Sequence, residues 1–81
     1  MSLPELDRQI QEARIWAILE AAMLRTGEPV MVDAMHWRED GTGEIIECKW
    51  LARLGTTGDW HQGESRLDAL AQLAQAEVLR G

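Results

Sequence analysis

The chain has 81 residues, of which 46% are hydrophobic and 27% charged, and its 8 basic and 14 acidic side chains give a formal net charge of −6. That length allows one domain with a thin core, and the apolar share excludes a disordered chain. The acidic excess is spread over the whole sequence with no basic cluster, which disfavours binding to phosphate backbones and suits encounter with a basic protein partner.

The first element is a helix over residues 3–26. Ser2-Leu3-Pro4-Glu5 has the form of a capping box, with Pro4 tolerated in the first turn, and Gly27 followed by Pro29 ends the helix. Leu6, Ile10, Ala13, Ala17, Ala21 and Leu24 recur at helical spacing as one stripe. A second apolar set, Ile15, Trp16, Ile18, Leu19, Ala22 and Met23, fills the later turns, and Glu20 is the only polar residue between Ile15 and Leu24. A helix apolar nearly all round is covered on more than one side. Self-association through Ile15, Trp16, Ile18, Leu19 and Met23 is therefore expected, making a homodimer. The alternative cover is the second helix of the same chain.

Strands are expected over 30–37, 44–54 and 59–62. Val30, Val32, Ala34 and His36 alternate with Met31, Asp33, Met35 and Trp37, and neither row is cleanly polar. Asp40-Gly41 is a hairpin signal. In the next strand Ile46, Cys48, Trp50, Ala52 and Leu54 share the expected core face, opposite Ile45, Glu47, Lys49, Leu51 and Arg53. Gly55-Thr-Thr-Gly58 forms a second turn. A final helix over 66–80 starts at the cap Ser65, with Asp68 as its capping-box partner, and Leu67, Leu70, Ala71, Ala74 and Val78 form its expected core stripe. The expected fold is α+β: a single domain in the order α-β-β-β-α, with a three-stranded antiparallel sheet and both helices packed on one face.

That order, and the run Gln62-Gly63-Glu64-Ser65-Arg66-Leu67-Asp68-Ala69-Leu70-Ala71, resembles the double-stranded-RNA-binding domain, whose last helix opens with a Ser after a Gly-rich strand end, then carries lysines and many alanines. The resemblance implies the αβββα fold and a nucleic-acid-binding activity. Of the family's basic cluster, which contacts phosphates, only Arg66 has a counterpart here; Leu67 and Leu70 take the other places. Where the family's first inter-strand loop reads the minor groove, this chain has Arg38-Glu39-Asp40-Gly41, with two carboxylates that repel RNA. The same Gly-x-Ser segment also resembles antitoxins of the HicB type, which lack the long leading helix.

Chemistry-bearing residues are sparse. His36, Cys48 and His61 do not stand in metal-ligand spacing, and Asp59-x-His61 is the only close pair. Cys48 lies on the expected core face and Ser65 serves as a cap, so neither reads as a nucleophile. Glu44 and Glu47 fall on opposite strand faces, and the Gly41-x-Gly43 and Gly55-x-x-Gly58 pairs do not lead directly into a helix, as a phosphate cradle requires. No catalytic, cofactor or metal site is expected. Of the four tryptophans, the chain's only aromatic residues, Trp37 and Trp60 flank turns. With Arg38, Glu39, Asp40 and His61 they form the expected partner-binding set, since Trp and Arg dominate binding hot spots.

The expected role is that of a small acidic, non-enzymatic protein–protein interaction module. By analogy of size and charge with phage and mobile-element inhibitors such as anti-CRISPR proteins, it would block a nucleic-acid-binding host protein. The alternative is a divergent double-stranded-RNA-binding-like domain. Met1 to Glu12 is polar, the single Cys48 cannot pair internally, and no apolar run approaches a membrane span. The expected location is the cytoplasm of a bacterial cell or a phage-infected host.

Overall fold

The chain builds an α+β fold in the order α1 (Leu3–Thr26), β1 (Val30–Arg38), β2 (Ile45–Leu54), β3 (His61–Gly63) and α2 (Arg66–Arg80). The computed structural model describes residues 3–38, 41, 43 and 45–80, except the side chains of residues 3, 37, 38 and 45–47. The three strands form one antiparallel sheet in the order β1-β2-β3. Both helices begin and end where the capping signals put them. β1 runs one residue further than expected, to Arg38, and β3 is displaced from 59–62 to His61–Gly63, leaving Asp59 and Trp60 in the approach to the strand.

Local chemistry accounts for the boundaries. At the end of α1, Gly27 adopts φ 73° and donates its amide to the Met23 carbonyl at 2.8 Å. This left-handed stop is one that glycine reaches without strain. At the start of α2, Ser65 Oγ accepts from the Asp68 amide at 3.0 Å, as its cap role requires. The reciprocal bond differs from the expected box: Asp68 Oδ2 accepts from the Glu64 amide, one residue before the cap, at 3.0 Å. Gly63 makes the corner from sheet to helix possible, because a Cβ there would stand 2.4 Å from the Ala69 nitrogen.

The core is assembled from three elements. α1 contributes Ile15, Leu19 and Ala22; β2 contributes Ala52 and Leu54; α2 contributes Ala69, Leu70, Leu73 and Ala74. The largest fully buried side chains are Leu19, Leu70 and Leu73, while Trp16 and Trp50 pack at the margin. Pairing settles the strand faces that alternation alone left open. Val30 lies opposite Leu54 and Val32 opposite Ala52, so these rows and Trp50 face the helices.

α2 is the keystone, packing on β2, β3 and α1 together, whereas α1 is held chiefly by α2. The two helices run side by side in the same direction: Arg8, Gln11 and Ile15 meet the first turns of α2, and Ile18, Ala21 and Arg25 meet its last. Their seam is locked by Arg25 Nη2 and Glu77 Oε2 at 2.8 Å, with Arg80 Nη1 3.3 Å from Glu77 Oε1. Glu77 is thereby drawn inside at 4% exposure. This rotates α2 from its expected stripe: Leu73 and Glu77 are buried, Val78 is 58% exposed, and Leu67 and Ala71 sit at the edge.

The long helix beside α2 and the small sheet gives a flat molecule of 47 × 39 × 17 Å. Its radius of gyration is 14.9 Å, against roughly 12 Å for a compact chain of this length.

Candidate interaction surface

Among the described residues no helix covers the face of the sheet turned away from α2. Its rows are Met31, Asp33 and Met35 on β1 and Lys49, Leu51 and Arg53 on β2, with Met31 opposite Arg53, Asp33 opposite Leu51 and Met35 opposite Lys49. Met35 is 46% exposed, and Met31 and Leu51 are half-buried. An antiparallel sheet commonly shows a polar outer face to water; this one mixes two methionines and a leucine with charges.

Trp60 completes it. The His61–Ala52 pairing leaves Trp60 beside Arg53, whose guanidinium carbon lies 4.3 Å from the Trp60 ring centre. The ring remains 40% exposed. Such a cation–π pair holds the guanidinium over the ring face at the sheet surface. Arg53 Nε is buried without a hydrogen-bond partner among the described residues. Lys49 Nζ approaches Glu64 Oε1 at 3.9 Å, a weak surface pair.

The expected partner-binding residues do not all gather here. Trp60 does, and it stacks on Arg53, on the same face as Leu51 and, further along, Met35. His61 does not, since it pairs with Ala52 in the row that faces the helices and is half-buried. Trp37 pairs with Glu47 at the far end of the sheet, beside a register irregularity before Arg38. At about 3.4 Å per residue, that is about 20 Å along β2 from Arg53 and Trp60. The side chains of Trp37 and Arg38, and Glu39 and Asp40 altogether, lie outside the described residues. The signal for Arg53 was present: it precedes the Gly55–Gly58 turn as Trp60 follows it, so a closed hairpin sets the two opposite each other.

Of the expected self-association residues, two are buried within the chain and three are half-buried. Ile15 and Leu19 are 6% and 0% exposed, and Trp16, Ile18 and Met23 pack against the same core beneath α2. The second helix covers Ile15 and Leu19. The stripe of Leu6, Ile10, Ala13, Ala17, Ala21 and Leu24 faces outward instead.

The free edge of β1 carries its own guard. Gly55 donates to the Pro29 carbonyl at 2.7 Å, so the odd-numbered residues of β1 bond to β2 and the even-numbered ones turn their amides to the edge. There the Ala34 amide donates to Asp33 Oδ1 at 2.8 Å. A carboxylate that takes up a mid-strand donor obstructs strand addition.

Other candidates are accounted for. Cys48 is a free, half-buried thiol opposite His36. Asp59 is exposed ahead of β3, and among the described residues no group of three His, Cys, Asp or Glu is placed to hold a metal ion. Arg66, the counterpart of the RNA-contacting cluster, lines an open cleft of about 480 Å³ between the helix starts, together with Arg8 and the carboxylates Glu5 and Glu12. Among the described residues no helix is long and apolar enough to cross a membrane. No protein-family model, curated protein or solved structure matches the chain.

Proposed function

We propose that this protein is a non-enzymatic binding module that docks on a partner protein through the open face of its sheet, with Trp60 and Arg53 as the anchor. The observation that carries this reading is the Arg53–Trp60 stack, with its ring 40% exposed, on a sheet face whose other end presents the 46% exposed Met35. Trp and Arg supply large contact area and directional donors at protein interfaces, and Met adapts to irregular surfaces. The net charge of −6 steers the domain toward a basic partner. Seated on a basic surface that handles nucleic acid, an acidic domain excludes the nucleic acid, which is the inhibitory form of this role.

Capture of partners from host lysate with wild-type and Trp60→Ala baits, with and without nuclease, tests the reading. Support is a protein retained after nuclease and lost with Trp60→Ala, which costs about 2 kcal/mol or more at a hot spot. Binding that disappears with nuclease and ignores Trp60→Ala sinks it in favour of direct nucleic-acid binding.

A further inference from the structure

We propose that a second copy of this chain docks on the outward face of α1, antiparallel to the first and related to it by a two-fold axis. The interface is independent of the open sheet face.

The outward stripe lies about 180° around the helix from the buried row of Ile15, Leu19 and Ala22. It runs the whole of α1, and its two ends differ in a complementary way. Near the N-terminal end two large side chains stand out, Leu6 at 43% and Ile10 at 45% exposure. Near the C-terminal end the stripe borders a hole in the seam between the two helices: Ile18, Ala21 and Val78 line an open apolar cleft of about 260 Å³, with Arg25 and Glu77 at its rim. Between them Ala13 and Ala17 leave the helix surface low enough for close approach.

Antiparallel superposition about the level of Ile15 makes these features meet. Leu6 of one copy comes opposite Leu24 of the other, which is 87% exposed, and Ala13 opposite Ala17. Ile10 comes one residue from the level of Ala21, at the cleft. Asp7, beside the knob, comes within about 3 Å of the level of Arg25 along the axis, and Arg25 keeps 55% side-chain exposure despite its bond to Glu77. The two-fold axis repeats each contact, as a self-complementary patch requires. A parallel pair would set knob on knob and Asp7 on Asp7. An acidic partner of another kind would meet Arg25 but leave Ile10 without a hole. Arg14 lies near the axis and opposes its own copy at the solvent rim.

A helix of 24 residues offers a face about 36 Å long and 10 Å wide, about 700 Å² over the two copies, which is below the size of standard specific interfaces and marks a weak contact. The association is therefore expected in the micromolar range or weaker, and sedimentation should span about 5 μM to 1 mM. The expected result is a mass rising from 9.1 kDa toward twice that value. Ile10→Glu and Ala17→Glu both alter exposed positions and are expected to stay folded by circular dichroism while remaining monomeric throughout. In a Cys48→Ser background, Leu6→Cys mixed with Leu24→Cys should cross-link, and Leu6→Cys alone should not. A single 9.1 kDa particle at every concentration overturns the proposal. So does a dimer that survives both glutamate variants, or a Leu6→Cys pair that cross-links to itself.

Discussion

The two faces of α1 have similar composition and opposite fates. The inner row of Ile15, Leu19 and Ala22 is at most 6% exposed, while Leu6, Ile10 and Leu24 on the outer row are 43%, 45% and 87% exposed. What decides burial is what stands opposite. α2 runs alongside α1 from Arg8 to Arg25 but meets it on one side only, along the seam that the Arg25–Glu77 pair closes. The bulky residues of the dense apolar segment lie on that side. The outer stripe, more regular in sequence, lies on the other. Regular spacing thus marks a helix but does not say which side faces the core.

Substitutions can break this contrast. The largest effect is expected at Leu19. Leu19→Ala opens a cavity in a core that has few other large residues and should cost about 3 kcal/mol in urea unfolding, and Leu19→Glu should not fold. A Leu19→Glu protein that folds and merely loses self-association would reverse the assignment of the faces. Next comes Gly63→Ala. The new methyl meets backbone at 2.4 Å, which cannot swing aside, so roughly 2 kcal/mol is expected. This tests whether the sheet-to-α2 corner holds α2 in place to cover α1. Smaller still is Ser65→Ala, which leaves the Asp68 amide without its cap and should lower the midpoint by the equivalent of about 1 kcal/mol.

The elements were legible in the sequence because their signals are local. Ser65, Gly27 and the two turns act within a few residues, and both helices fall at their expected ends. The arrangement of faces was not legible, because it depends on contacts between distant segments. The Arg25–Glu77 pair spans 52 positions and rotates α2 so that Val78 turns out and Leu73 turns in. The candidate surface shows the same limit. Trp60 was marked by its residue type, but its partner Arg53 became visible only through the strand pairing, and His61 was separated from it by the same register.

The sheet offers a second contrast, between a guarded edge and an open face. Asp33→Ala removes the acceptor held by the Ala34 amide and should leave thermal stability nearly unchanged. Its expected effect is association through β1, measured as loss of soluble protein on concentration. If the variant stays as soluble as wild type, the edge is protected by other means.

The smallest effect, and the sharpest test of the contrast in α1, is expected from Leu24→Ser. At 87% exposure the side chain has little to lose within one chain, and a change within about 0.5 kcal/mol is expected in dilute solution. If the outer stripe is covered by a second copy, the same substitution gains a concentration dependence. Wild type gains stability from association as its concentration rises, and the variant gains less, because binding to the folded state shifts unfolding by mass action. Urea midpoints at two concentrations a hundredfold apart separate the cases. Parallel shifts in both proteins mean that Leu24 is surface in every state. A gap that widens at the higher concentration means that the outer face of α1, like the inner one, is made to be buried, with the cover supplied by another molecule.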